Sequence, residues 1–233
     1  MVASVDDNIG RILTTLEQLE LAENTVVILT SDNGGVDFPS RKSGDQDPTS
    51  NRPWRSGKGT LYEGGIRVPM MIRWPNQIRP GSRCSTPVIS HDFLPTLIDG
   101  CKLSETLPQN IDGRNLMPLL AEPDESLGRN ALCWHYPHYY PRMTPGSAIR
   151  SGQWKLIHYY EDDRVELYNL QDDPGETRNL ATDRPQRVRG LRQQLDLWRT
   201  KTEANAPTIN RQWNAPQNSH RDKPEIKVPP AHS

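Results

Sequence analysis

Asp32 and Asn33 stand side by side where the run "TVVILT" breaks into "SDNGG", residues 25–35. Their carboxylate and amide oxygens are hard donors of the kind calcium or magnesium takes, and Gly34 and Gly35 let the backbone turn away from an ion. The same residues also read as an Asn-Gly turn with an acid closing a strand, so residue types alone leave both readings open. Calcium takes about 6 to 8 oxygens, and this pair supplies about three, so further ligands must come from elsewhere.

A second constellation is "SGKGTLYEGGIRVP", residues 56–69. Lys58 lies between two glycines, where its ammonium can meet a sulfate or phosphate oxygen as a point charge without crowding from its neighbours. A solvated loop lysine is the plainer alternative. The stretch is not a phosphate-binding P-loop, because the spacing of the first glycine and the Ser or Thr after the lysine are absent. Glu63 and Arg67 read as an ion pair holding the "EGGIR" turn. In "WHYPHYYPR", residues 134–142, His135 and His138 sit among aromatics, a composition suited to a sugar ring or aryl sulfate at a pocket mouth and equally to a sheet edge. His91 reads as an N-terminal helix residue and His158 as a strand residue.

These residues need elements to hold them. Val5, Ile9, Ile12, Leu16 and Leu19 recur at three or four residues, predicting an amphipathic helix over 3–22. "TVVILT" then reads as a strand of a helix-covered sheet, which is the α/β pattern. From Val36 to Gly59 no period exists, as in a long functional loop. "VPMMIRW" predicts a second strand, and "SHDFLPTLIDG" a short helix with Ser90 or Asp92 near its start. Beyond Gly113, "NALCWHYPHYY", "SAIRSGQWKLIHYY" and "RVELYNL" predict an antiparallel sheet. Val188, Leu191, Leu195 and Trp198 mark a helix over 184–203, opened by Asp183 with Pro185 in its first turn and packed on that sheet. The reading is therefore part of a mixed or parallel α/β sheet with flanking helices over 1–112, a small antiparallel subdomain with its helix over 113–203, and a polar tail over 204–233.

Composition narrows the function classes. With 28 basic and 29 acidic residues interleaved, nothing marks a nucleic-acid surface. Hydrophobic residues make up 33% of the chain, and 21 prolines and 16 glycines predict a loop-rich protein. Cys84, Cys101 and Cys133 are too far apart for a zinc motif. No apolar run is long enough to span a membrane, and "MVASVDDNIG" lacks the basic start and apolar centre of a signal peptide, so the compartment stays open. A helix opening almost at Met1 raises the expectation that this methionine is internal or an imposed start.

Taken in order, "TVVILTSDNGG", "GKGTLYEGGIRVPMMIRWP", "DFLPTLIDGCKL" and "ELYNLQDDPGETRNL" resemble the sulfatases of the alkaline phosphatase superfamily, over roughly residues 3–179. The resemblance is to the second half of an arylsulfatase-type enzyme. It implies that Asp32 and Asn33 match the family's calcium-binding pair and Lys58 the lysine that contacts the sulfate. It also implies a sulfate-ester substrate, such as a sulfated carbohydrate, and export of intact members in many cases. The family's nucleophile is a formylglycine made from Cys or Ser in a CxPxR or SxPxR motif. None of the three cysteines begins that pattern, and "DFPSR", residues 37–41, has an Asp in the nucleophile's place. The family's early acidic pair is also missing; Asp6 and Asp7, inside the first predicted helix, read as surface residues. The chain alone is therefore expected to be inactive. Alternatives are a phosphatase or phosphonate hydrolase of the same superfamily, a non-catalytic binder of sulfated glycans through Lys58, Arg52 and Arg55, or a degenerate product.

Overall fold

The computed structural model describes residues 2–37, 49–104 and 111–208. In chain order its elements are α1 (Val2–Gln18), β1 (Val27–Thr30), α2 (Glu63–Ile66), β2 (Met70–Arg73), α3 (Phe93–Gly100), α4 (Met117–Ala121), β3 (Leu132–Tyr136), β4 (Gly146–Ser151), β5 (Trp154–Tyr159), β6 (Val165–Asn169) and α5 (Pro185–Lys201). The mixed α/β class read from the sequence is the class observed. Contacts group the chain into two units, Met1–Thr30 with Pro69–Arg129 and Ser31–Val68 with Asn130–Ser233. The segment bearing Asp32, Lys58 and Glu63 thus belongs with the C-terminal sheet.

In the first unit, α1 stops at Gln18 instead of running on to residue 22. Glu20 takes a left-handed conformation at φ +59. The Leu21 N–H donates to the Leu16 carbonyl at 2.9 Å and the Glu20 N–H to the Glu17 carbonyl at 3.0 Å, which closes the helix in a Schellman turn. β1 and β2 pair antiparallel, with Val27 opposite Arg73 and Thr30 opposite Met70. The β-branched run had pointed to a strand enclosed on both faces, but Val27, Ile28 and Leu29 are half-buried and Thr30 exposed. Asp92, fully buried, ties the rest of this unit together. Its carboxylate accepts from the Ile89 N–H at 2.9 Å and the Arg114 N–H at 2.8 Å, and is gripped by both terminal nitrogens of Arg129. A two-pronged guanidinium pair of this kind is among the stronger polar contacts. Asp92→Asn keeps an acceptor but leaves the Arg129 charge unpaired, and should cost about 2 kcal/mol in a urea melt.

The second unit is built on a four-stranded antiparallel meander in the order β3-β4-β5-β6. Period-two alternation sorts its core residues onto two faces. Ile149, Leu156 and Leu167 meet Leu191 and Leu195 of α5, while Ala148, Ile157 and Tyr168 meet Leu61, Tyr62 and Met143 on the other side. Pro185 occupies the first turn of α5 as expected, but Arg184, not Asp183, is the residue at its N-cap. Asp183 instead pairs with Arg178 at 3.1 Å.

On the α5 side, His158 Nε2 lies 2.8 Å from Asp163 Oδ1, and its buried Nδ1 has no hydrogen-bond partner among the described residues. Burial, reinforced by the charge of Arg192 and outweighing the pull of Asp163, pushes the imidazole below its ordinary value; Arg199 adds to the depression. The unfolded chain takes up this proton at about pH 6.5 while the folded chain does not, so stability falls as pH drops through about 6.5, and levels off once the folded ring also protonates. Thermal melts between about pH 8 and about pH 5 should show this decline, and His158→Gln should flatten it.

Candidate active site

The turn after β1 is laced to the glycine-rich segment by main-chain bonds. The Gly34 N–H donates to the Gly65 carbonyl at 2.9 Å, and the Lys58 N–H to the Gly35 carbonyl at 3.0 Å. Gly34 is obligatory: a Cβ there would lie 1.6 Å from the Gly64 carbonyl oxygen. Asn51 staples the same place, accepting from the Gly35 N–H at 3.0 Å and donating to the Gly35 and Ser56 carbonyls at 2.9 Å and 3.0 Å. The two motifs recognised separately in the sequence are thus neighbours in space. Asn51, in a stretch without period, gave no signal in the sequence.

Asp32 is exposed and Asn33 half-buried. Asp32 Oδ1 accepts the Asn33 N–H at 2.9 Å, and Asn33 Nδ2 donates to the Gly34 carbonyl at 3.0 Å. Asp32 Oδ2 and the amide oxygen of Asn33 carry no hydrogen bond among the described residues, so hard oxygens remain for a cation. In kind these donors fit calcium; in number they fall short. No group of three or more His, Cys, Asp and Glu side chains suited to a metal occurs among the described residues.

Lys58 is half-buried, and its ammonium has no hydrogen bond or ion pair among the described residues. Its flanking glycines are required by close approach: a Cβ on Gly57 would sit 2.2 Å from the Gly35 carbonyl oxygen, and one on Gly59, at φ +81, would sit 2.2 Å from the Tyr140 ring. The aromatic stretch therefore abuts the Lys58 loop. Arg142, at its end, approaches Asp37 at 3.4 Å. Of its two histidines, His138 is exposed and edge-on to Tyr136, with ring centres 5.5 Å apart. His135 is engaged at both nitrogens: Nδ1 lies 2.9 Å from Ser147 Oγ and 2.8 Å from the Tyr160 hydroxyl, and Nε2 is 2.7 Å from the Asn205 carbonyl. That leaves His138 as the histidine of the pair open to a ligand. Asn205 opens the polar tail, whose residues 209–233 lie outside the described residues, as do residues 38–41 of the "DFPSR" string.

Behind the loop lies a buried charged cluster. Lys155, fully buried, places its ammonium 3.0 Å from Glu63 Oε1 and 2.8 Å from Glu176 Oε1. Glu176 Oε2 accepts the Glu63 N–H at 2.7 Å. Arg67 does pair with Glu63, at 3.6 Å, but its guanidinium also stacks on Trp54 at 3.9 Å, and the closer partner of Glu63 is Lys155. Burial pushes the Glu176 carboxyl above its ordinary value, against the pull of Lys155. Arg55, weighed above as part of a glycan-binding surface, turns inward instead: it donates to the Tyr168 hydroxyl and the Glu176 carbonyl, both at 2.9 Å, and lies over the Tyr62 ring. Tyr62 and Tyr168 in turn both donate to Glu166 Oε2 at 2.8 Å.

The loop carrying Glu176 is shaped by its own acids and amides. Asp173 accepts from the Thr177 and Arg178 N–H groups at 2.8 Å, and Asn179 Oδ1 from those of Leu167 and Ala181 at 3.0 Å. This accounts physically for the composition of "DDPGETRNL". Cys84 and Cys101 are exposed free thiols.

Two hard oxygens, on Asp32 and Asn33, and the Lys58 ammonium thus stand on two glycine-bearing segments joined by main-chain hydrogen bonds. Among family models, residues 55–201 match N-sulphoglucosamine sulphohydrolase, C-terminal, and residues 1–100 match Sulfatase. The chain belongs to the sulfatase family and holds its C-terminal part. It is 37% identical to a sulfatase of Formosa agariphila, covering 89% of this chain and 40% of that protein. It is 34% identical to an N-acetylglucosamine-6-O-sulfatase of Bacteroides thetaiotaomicron, covering 77% and 30%. Among solved structures it resembles BT4656 in complex with its substrate D-glucosamine-2-N,6-O-disulfate, with a TM-score of 0.70 at 29% identity over 88% of this chain and 40% of that one. The chain thus spans less than half the length of these relatives.

Proposed function

We propose that this chain supplies one wall of the active centre of a calcium-dependent sulfuric ester hydrolase acting on sulfated carbohydrate. The observation that carries the reading is the lacing of the Asp32–Asn33 turn onto the Lys58 loop, which brings a hard-oxygen pair onto the same hydrogen-bonded framework as an ammonium without a partner among the described residues.

Asp32 Oδ2 and the Asn33 amide oxygen would hold the ion, each oriented by the hydrogen bond its neighbouring atom makes. Bound calcium would withdraw charge from the sulfuryl oxygens, the electrostatic service that usually dominates such transfers. Lys58 binds a sulfate oxygen as a point charge, and the glycines on either side let its loop lie close against the Gly35 carbonyl and the Tyr140 ring. His138, exposed beside Tyr136, is the ring offered to the sugar. The nucleophile is a formylglycine by family, and no CxPxR motif occurs at the cysteines of this sequence. Support for a sugar substrate comes from the relatives named for N-acetylglucosamine 6-O-sulfate and glucosamine disulfate.

The test is kinetic. The purified chain should show no turnover of an aryl sulfate that scales with its concentration. The protein expressed with whatever coding sequence precedes Met1 should cleave 6-O-sulfated N-acetylglucosamine, and Lys58→Ala there should lower kcat/KM by about 10²-fold. Preference for a phosphate ester, or indifference to the lysine, would sink the proposal.

A further inference from the structure

We infer that Glu176 is a positioning residue of the Asp32–Asn33 site, acting through Glu63 and the two glycines that follow it. The inference rests on the reading of Asp32 and Asn33 as a metal pair. No motif for a ligand singles Glu176 out; what does is where its carboxylate is spent.

Glu176 Oε2 takes the Glu63 N–H at 2.7 Å, and Glu176 Oε1 and Glu63 Oε1 share the Lys155 ammonium at 2.8 Å and 3.0 Å. Both the main chain and the side chain of Glu63 are therefore fixed from the C-terminal sheet. The residues directly after it, Gly64 and Gly65, form the surface on which Gly34 sits: the Gly65 carbonyl receives the Gly34 N–H at 2.9 Å, and the Gly64 carbonyl leaves no room for a Cβ at Gly34. Asn33 is the next residue back. A carboxylate far along the chain thus sets the height of the turn that presents both metal oxygens. Glu176 holds a left-handed backbone at φ +53, a conformation costly for glutamate and compatible with a side chain kept for its position.

Hydrogen exchange followed by NMR on the 233-residue chain tests this, with and without millimolar calcium, for wild type, Glu176→Gln and Leu191→Ala. Leu191→Ala weakens the core on the opposite face of the sheet and touches none of the cluster. In Glu176→Gln the Gly34 amide should exchange at least about 10-fold faster relative to the β4 and β5 amides, and Leu191→Ala should show no such excess. If Gly34 merely follows the sheet, or if Leu191→Ala gives the same excess, Glu176 is structural only and the inference is overturned. Calcium should slow Gly34 exchange in wild type. If calcium does so and the excess is absent, the positioning claim alone fails; if calcium has no effect, the metal reading fails and takes the positioning claim with it. Should Glu176→Gln not fold, Glu176→Gly removes the carboxylate while suiting the left-handed backbone, and the same comparison applies.

Discussion

Lys155→Met should destabilise the chain by about 3–5 kcal/mol near neutral pH, because it strips the cation from two buried carboxylates while filling nearly the same space. Lys155 and Glu176 are both fully shielded and Glu63 nearly so. The remaining positive groups near Glu63, Arg67 at 3.6 Å and Arg150 at 3.7 Å, do not reach Glu176. The pH dependence gives the claim its signature. Burial already raises the Glu176 carboxyl against the pull of Lys155; with the ammonium gone that pull is lost, so above the unfolded value of about 4.3 the folded state would bind more protons than the unfolded one. Stability of the variant should then fall as pH rises from about 5 to about 8, and the deficit against wild type should shrink on acidification. Urea melts at the two ends of that range measure it. A deficit independent of pH would mean that lost packing, not stranded charge, explains the effect.

On the proposed function, Gly34→Ala should lower kcat/KM for sulfate-ester cleavage by more than about 10³-fold, since a displacement of about 1 Å at one group of the site can already cost about 10²-fold and here two groups move together. The methyl group and the Gly64 carbonyl oxygen cannot coexist at 1.6 Å. Relief requires the turn to lift off Gly65, which breaks the Gly34 N–H bond, shifts Asp32 and Asn33, and loosens the Gly35 carbonyl that holds the Lys58 N–H. Because Gly34 is a member of neither hydrophobic core cluster, melting temperature should change far less than activity. A variant that loses stability and activity in proportion would contradict the idea that this glycine serves the site.

Local patterns reported some of this organisation well. The spacing of Val188, Leu191, Leu195 and Trp198 marked α5 and its buried face, and alternation through "SAIRSGQWKLI" marked β4 and β5, because both periods are dictated by the face a neighbour must cover. The pairing sense of β1 and β2 was not legible, since a β-branched run carries no information about the direction of its partner. The buried cluster escaped for a different reason. Lys155 sits in a strand of ordinary composition, and nothing local distinguishes a lysine that points at solvent from one enclosed by Glu63 and Glu176, which are distant in sequence. Asp32, Asn33 and Lys58 stood out by chemistry and resemblance; that their loops share hydrogen bonds is a fact of the tertiary structure. Arg55 shows the converse, as an arginine read for the surface whose guanidinium is committed to Tyr168 and the Glu176 carbonyl.

The most direct measurement of the central claim is a calcium titration of the chain followed by NMR, with inorganic sulfate added at saturation. The account predicts a saturable shift centred on the Asp32–Gly35 amides and the Asn33 side-chain amide, weak and on the order of millimolar because the ligand set is partial. It predicts further that Asp32→Ala abolishes the shift, and that sulfate then moves the amides of Gly57, Lys58 and Gly59. Shifts confined to other acidic stretches such as Asp172–Asp173, or a sulfate response that ignores the Lys58 loop, would contradict it.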